Sequence, residues 1–259
     1  MGWVLITGAS EGLGREFARL AARDGHMLVL SARRATVLEA LAVELSAEFG
    51  VEALVLPADL SQEGEAEKLW AGATAGGREI AVLVNNAGLG AGGAFAAPAE
   101  WAREYDSVRV NVLSATVLMK AAAVEMAARG RGRILNVAST AAFMPGPGMA
   151  VYHATKAYLL SLSEAVGSEL AGSGVTVTAL CPGATRTGFF RAGGIEGETL
   201  IQRLPMGRAD RVAAAGWTAM KRGRRVAVPG IDNKIFAVLP RLAPRRMVAW
   251  VAGLFLSRR

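Results

Sequence analysis

Tyr152 and Lys156 stand four residues apart in the stretch Val151-Tyr152-His153-Ala154-Thr155-Lys156-Ala157. The pattern predicts a helix starting near Met149, and residues four apart on a helix lie one turn apart on the same face. A phenol beside an ammonium is a proton-transfer pair. The positive charge favours phenolate, which predicts a Tyr152 pKa drawn below its ordinary value of about 10 and toward neutral pH, where a general acid/base works best. Taken alone, Y-x-x-x-K more often marks a solvated tyrosine beside a solvated lysine. Its weight comes from what the rest of the chain delivers: a nucleotide site, a serine (Ser139) and an asparagine (Asn111).

The elements that must position these groups alternate strand and helix. Trp3 to Ile6 is a short, continuous apolar run, as expected of a strand buried on both faces. Thr7-Gly8-Ala9-Ser10-Glu11-Gly12-Leu13-Gly14 follows at once, and a helix-periodic stretch follows that. Glycines let the backbone approach a pyrophosphate, and a helix N-terminus offers free N–H groups and a positive dipole end. His26 to Ala32 reads as a second strand, running into Arg33-Arg34. In dinucleotide folds this strand end lies near the adenosine ribose, about 20 residues past the glycines. An acid there holds the 2′-hydroxyl of NAD; here Ala32 stands instead, and two guanidiniums suited to phosphate follow it, which favours NADP(H), with NAD(H) also usable.

A helix is expected over 35–50 and strands over 51–58, 80–84, 134–139 and 175–181. Asp59 closes the third, where its carboxylate either meets an adenine amino group or caps the next helix. Asn85-Asn86-Ala87-Gly88 closes the fourth, Ser139 the fifth, and Pro182-Gly183-Ala184-Thr185-Arg186-Thr187 the sixth. Trp101 to Arg129 reads as one long helix with Asn111 inside it, facing either solvent or a polar task, since asparagine disfavours a helix interior. Residues 189–205 lack a period and read as a mobile lid (about 188–206); 225–230 suggests a last strand. The alternation predicts an α/β fold: a single-domain, Rossmann-type, doubly wound parallel sheet of about seven strands, with helices on both faces and ligand loops at the strand C-termini.

Composition agrees. The chain has 259 residues, 52% of them hydrophobic, and 31 glycines, which fits one large α/β domain. Its one cysteine, Cys181, rules out an intramolecular disulfide and suggests a reducing, cytoplasmic setting. No signal peptide is read at the start. The net charge of +7 is concentrated: residues 221–259 hold ten Lys/Arg and one acid, Asp232. The catalytic unit is therefore bounded at 1–230, and 231–259 is a basic extension. Within it the apolar run Met247–Leu256 is too short to span a bilayer; it packs on the domain or a second subunit, or lies on an anionic membrane surface. The tail lacks the interleaved aromatics of a single-strand binder, so nucleic acid is not an expected partner. His26 and His153 are too isolated to suggest a metal.

Together these motifs resemble the short-chain dehydrogenase/reductase family over roughly residues 3–230: TGASEGLG at 7–14, Asp59, NNAG at 85–88, Asn111, Ser139, Tyr152-x-x-x-Lys156, and Pro182-Gly183 with Thr187. The resemblance implies Tyr152 as general acid in reduction and base in oxidation. It implies Ser139 as a hydrogen-bond donor to the substrate oxygen, and Lys156 as the group that lowers the Tyr152 pKa and binds the nicotinamide ribose. Asn111 would hold a water linking Lys156 to solvent. It implies phosphate contacts from Gly8, Ser10, Glu11, Gly12, Leu13 and Gly14; Arg33 and Arg34 at the 2′-phosphate; Asp59 and Leu60 at adenine; Asn86, Ala87 and Gly88 on the ribose side; and Pro182, Gly183, Thr185 and Thr187 at the carboxamide. No step calls for a metal.

The segments 111–116 and 145–152 are similar to a branch near hydroxysteroid and 3-oxoacyl reductases. The leading expectation is an NADPH-dependent reductase of a hydrophobic ketone (3-oxoacyl, steroid-like or aromatic), acting as a homodimer or homotetramer through the helices near 101–129 and 150–171. An NAD-dependent alcohol dehydrogenase and a non-catalytic nucleotide sensor are the alternatives.

Overall fold

The structure, a computed structural model, describes residues 2–96, 101–189 and 206–256. Seven parallel strands form one sheet in the order β3-β2-β1-β4-β5-β6-β7. They are β1 (Trp3–Thr7), β2 (Met27–Ser31), β3 (Ala53–Val55), β4 (Ile80–Asn85), β5 (Gly132–Val137), β6 (Val175–Leu180) and β7 (Val226–Ala227). The helices are α1 (Gly12–Arg23), α2 (Ala35–Phe49), α3 (Glu65–Thr74), α4 (Trp101–Val108), α5 (Ala115–Arg129), α6 (Ala150–Glu169), α7 (Ala209–Lys221), α8 (Ile231–Leu242) and α9 (Arg245–Leu256). The doubly wound parallel sheet predicted from the alternation is thus present, with β3 and β7 shorter than the apolar runs suggested. Much of the expected lid, 190–205, lies outside the described residues.

The apolar runs become strands buried on both faces because helices cover both sides; every residue of β1 is buried. On one face the core joins Val4, Ile6, Leu28 and Leu30 to Phe17, Leu38 and Leu45 of α1 and α2 and to Trp217 of α7. On the other it joins Leu5, Val29, Leu83 and Ile134 to Leu69, Leu118 and Met126 of α3 and α5. The strand order reverses at β1, which pairs with β2 on one side and β4 on the other. A ligand crevice opens at such a switch point, beyond the strand C-termini. The Gly-rich turn after β1 and the Asn85–Gly88 turn after β4 therefore flank one crevice.

Trp101–Arg129 is helical throughout, as expected, but Arg109–Ser114 within it is a π-helical segment. Its most apolar window is hydrophobic and long enough to cross a membrane, yet half of that window is buried in the domain. It is read here as a core helix. Beneath the crevice lies a buried polar network. Asn85 Nδ2 donates to Ala115 O and Asn136 Oδ1, and Asn136 Nδ2 donates to Ser163 Oγ at 2.8 Å. These bonds tie β4 and β5 to α5 and α6.

Truncating Asn136 to Ala leaves buried partners unpaired as well as a void. The expected outcome is a loss of about 2–4 kcal/mol, read as a lower urea midpoint with an unchanged slope.

Candidate active site

Tyr152 and Lys156 lie one turn apart on α6, both buried, with Lys156 Nζ 5.9 Å from the centre of the tyrosine ring. Ser139 follows β5 by two residues in extended backbone, and its Oγ accepts from Ala141 N. Its hydroxyl donates to Pro182 O at 3.5 Å and sits within reach of the Tyr152 phenol. Ser139, 13 residues before Tyr152, thus joins Tyr152 and Lys156 in one cluster.

The electrostatics depart from expectation. Burial pushes the Tyr152 phenol up to about 12, with the Ser139 hydrogen bond pulling the other way. Burial also brings Lys156 down to about 8. Burial is the largest cause of both shifts, where the sequence led to the expectation of a phenol drawn down by the ammonium. Lys156 Nζ spends a hydrogen on Val137 O at 2.9 Å. Gly88 is the residue that leaves it room, since a Cβ there would sit 3.2 Å from Lys156 Nζ and 3.3 Å from Asn111 Oδ1.

Asn111 has its polar task, and the π-helical segment presents it. Its Oδ1 accepts from Leu89 N, and its Nδ2 is shared among Leu89 O, Ser107 Oγ and Thr155 Oγ1. It thus clamps both backbone groups of Leu89 and bridges to α6, one residue before Lys156.

The cofactor end is built around β1. Gly8 and Gly12 have positive φ of 66° and 57°, where an L side chain is strained. A Cβ on Gly14 would lie 2.1 Å from Gly8 O, so α1 can start only against a bare turn. Asn86 differs from expectation. Its Nδ2 donates to Thr7 O and Gly8 O, so the amide braces the Gly-rich turn while its residue still lines the cavity. Thr7, which sequence reading passed over, accepts at Oγ1 from the backbone N–H groups of Asn86 and Ala87. Asp59 lines the cavity and its Oδ1 accepts from Ser61 N and Oγ in a local turn; it does not cap α3, which begins later, after Gly64. Arg34 Nη2 donates to Ser10 Oγ and pairs with Glu11 at 3.0 Å. Arg33 is exposed at the cavity rim, with no ion pair among the described residues. Thr187 packs against Gly12, and Thr185 bridges to Gly207.

A single cavity of about 1400 Å³ joins these groups, lined at one end by Gly8, Ser10, Glu11, Gly12, Leu13, Arg33, Arg34, Asp59, Leu60 and Gly88. Ser31 Oγ is buried there without a partner. A bare glycine turn, open helix N–H groups, an orphan hydroxyl and a rim guanidinium fit a phosphate-bearing dinucleotide. The other end, past Tyr152, is apolar: Met149, Phe189, Phe236, Val251, Phe255 and Leu256. Phe189 lies 5.1 Å from the Tyr152 ring, and Leu256 packs on the same cluster. The contribution of α8 and α9 was missed because only an apolar run between arginines was legible there. The signal lay in apolar residues recurring three and four apart from Ile231 on. His153 lines the cavity as well, but its Nδ1 bonds Met144 O and burial lowers its pKa.

A family model described as short chain dehydrogenase matches residues 2–194. The chain belongs to the short-chain dehydrogenase/reductase family and is an oxidoreductase of that family. It is similar to a serine 3-dehydrogenase of Agrobacterium fabrum (strain C58 / ATCC 33970), 37% identical over 198 residues, covering 74% of this chain and 76% of the relative. Among solved structures it is similar to a short-chain dehydrogenase from Sphingobium yanoikuyae in complex with NADPH. That match has a TM-score of 0.81 and 34% identity, and covers 89% of each chain. It is also similar to the bulky-bulky ketone specific alcohol dehydrogenase from Comamonas testosteroni, with a TM-score of 0.79, 32% identity, and 93% and 92% of the two chains covered.

The depressed Lys156 pKa has a definite sign. Between about 8 and its unfolded value of 10.5 the unfolded chain holds the extra proton, so the native state gains stability as pH rises through that window. The unfolding free energy of the wild type relative to Lys156→Met should therefore rise by roughly 2–3 kcal/mol from about pH 8 to 10. Paired denaturation curves across that range check it.

Proposed function

We propose that the protein is an NADP(H)-dependent carbonyl reductase that converts a hydrophobic ketone to a secondary alcohol. The observation that carries this reading is the continuity of one cavity from the bare Gly8–Gly14 turn, past Tyr152, into an apolar chamber. Arg33 supports the phosphorylated cofactor, since it faces the rim with no ion pair among the described residues, where Ala32 leaves no carboxylate to repel a 2′-phosphate. The NADPH complex of the Sphingobium yanoikuyae relative and the bulky ketones of the Comamonas testosteroni relative point the same way.

The Gly8–Gly14 turn and Arg33 would hold NADPH, which when bound would supply the hydride to the carbonyl carbon. Tyr152 gives its phenolic proton to the carbonyl oxygen. Ser139, within reach of that phenol, holds the same oxygen as its charge develops. Lys156 keeps a donor beneath the pair, and Asn111 holds the Leu89 and Thr155 backbone and hydroxyl that frame it. Gly8, Ser10, Glu11, Gly12, Leu13 and Gly14 would cradle the phosphates. Residues 1–230 carry this chemistry, and α8 and α9 of the extension form part of the wall of the apolar end. A cytoplasmic homodimer or tetramer, formed through α4–α6, is part of the proposal; Leu113, Val124 and Tyr158 are exposed there.

Arg33→Ala should lower kcat/KM with NADPH by roughly 10–100-fold, the worth of a charge-assisted hydrogen bond, and leave NADH nearly unchanged. A wild-type preference for NADH of tenfold or more would overturn the reading. Tyr152→Phe should reduce turnover by roughly 10²–10⁴-fold.

The phenol held up at about 12 keeps its proton through neutral pH. Alcohol oxidation needs the phenolate, so its kcat/KM should climb steadily as pH rises from about 6 to 9. Ketone reduction, which consumes the proton, should not climb over that range. Initial rates in both directions test this.

A further inference from the structure

The two C-terminal helices are amphipathic in the inverse sense. On α8, Ile231, Ile235, Val238 and Leu242 recur at steps of four, three and four, so they share one face, and all four are exposed. Ile231 and Leu242 are each 78% exposed. On α9, Met247, Trp250 and Val251 form a second outward stripe, with Trp250 66% exposed. The domain core receives little more than Ala237 and Ala252 from these helices. A helix of a globular protein ordinarily turns such a stripe inward, and a contiguous outward patch marks an interaction surface.

Two further features say what that surface meets. Lys234, Arg241, Arg245 and Arg246 are exposed on the same helices against a single carboxylate, Asp232. None of the four is in an ion pair among the described residues. Leu239, Leu242, Met247 and Val251 are also exposed, and each lines the cavity that reaches Tyr152. The mouth of the apolar chamber therefore opens within the basic, apolar patch.

We propose that α8 and α9 dock the protein on an anionic lipid surface, lying in the interfacial plane with the cavity mouth toward the lipid. An apolar stripe in the headgroup boundary with flanking cations is the design of an interfacial helix, and an exposed tryptophan suits that boundary. A second copy of this chain fits less well, because an isologous contact would set unpaired cations against cations. Docking stands independently of the cofactor assignment. Entry of substrate from the lipid rests on the reductase reading.

The experiment is sedimentation of the purified full chain with vesicles of phosphatidylcholine alone and of phosphatidylcholine with 30% phosphatidylserine (roughly the anionic content that gives a substantial surface potential). Binding to the anionic vesicles only, weakened by salt, is expected. Arg245→Glu with Arg246→Glu should cut the partition at least tenfold, since each cation near such a surface is worth roughly a factor of five. Trp250→Ser should also weaken it. Unchanged thermal midpoints would show that both variants fold. The proposal is overturned by absence of binding to either vesicle, or by binding that both variants leave intact. It is equally overturned if Trp250→Ser lowers the oligomeric mass by light scattering while the wild type ignores vesicles, which would make the face a subunit contact. No outcome uses cofactor or turnover, so failure here is distinct from failure of the reductase reading.

Discussion

The site depends on keeping one ammonium dry. Lys156 is buried beneath Tyr152 and Ser139 and, among the described residues, has one acceptor, the carbonyl of Val137 at the end of β5. An ion without water is costly unless its hydrogens are spent, and here the cost appears as a pKa drawn down to about 8. The same dryness raises Tyr152 and makes the phenol a proton donor at neutral pH. Around this pair the backbone is held by side-chain amides. Asn111 fixes Leu89 and reaches Thr155, while Asn85 and Asn136 fix the strand ends below. A carboxamide both donates and accepts without carrying charge, so these groups order the loops without adding a second buried charge.

The parallel sheet decides where the chemistry goes. All its strands end on one side, and helix N-termini and loops converge there. At the cofactor end the requirement is closeness: Gly8, Gly12 and Gly14 bring backbone to where any side chain would collide. At the other end the requirement is apolar volume, which the sheet alone does not supply. Helices α8 and α9 supply it, and they do so while presenting a second apolar face outward. The extension is thus part of the wall of the chamber as well as of the surface.

Much of this was legible in the residue order. Continuous apolar runs without alternation mean strands covered on both faces, and β1 and β6 are such strands. The glycine spacing announced a turn that must admit another backbone. The four-residue step from Tyr152 to Lys156 put both on one face of a helix, a purely local consequence of helical pitch. The cation-rich tail was equally plain, since charge is additive along a sequence.

Only the tertiary structure decided the electrostatics and the partners. Whether an ammonium lowers a phenol or both are shifted by burial depends on how much water reaches them, and that is set by elements distant in sequence: β5, the Gly88 turn and α9. Asn86, expected on the ribose side, also braces β1. Thr7 carried no signal of its own but receives two backbone N–H groups, and Asp59 also serves a local turn. A polar side chain near a site has several acceptors within reach, and which one it takes is a matter of three-dimensional distance. Local spacing determined which groups could react, and long-range packing determined their charge, their dryness and what they touch.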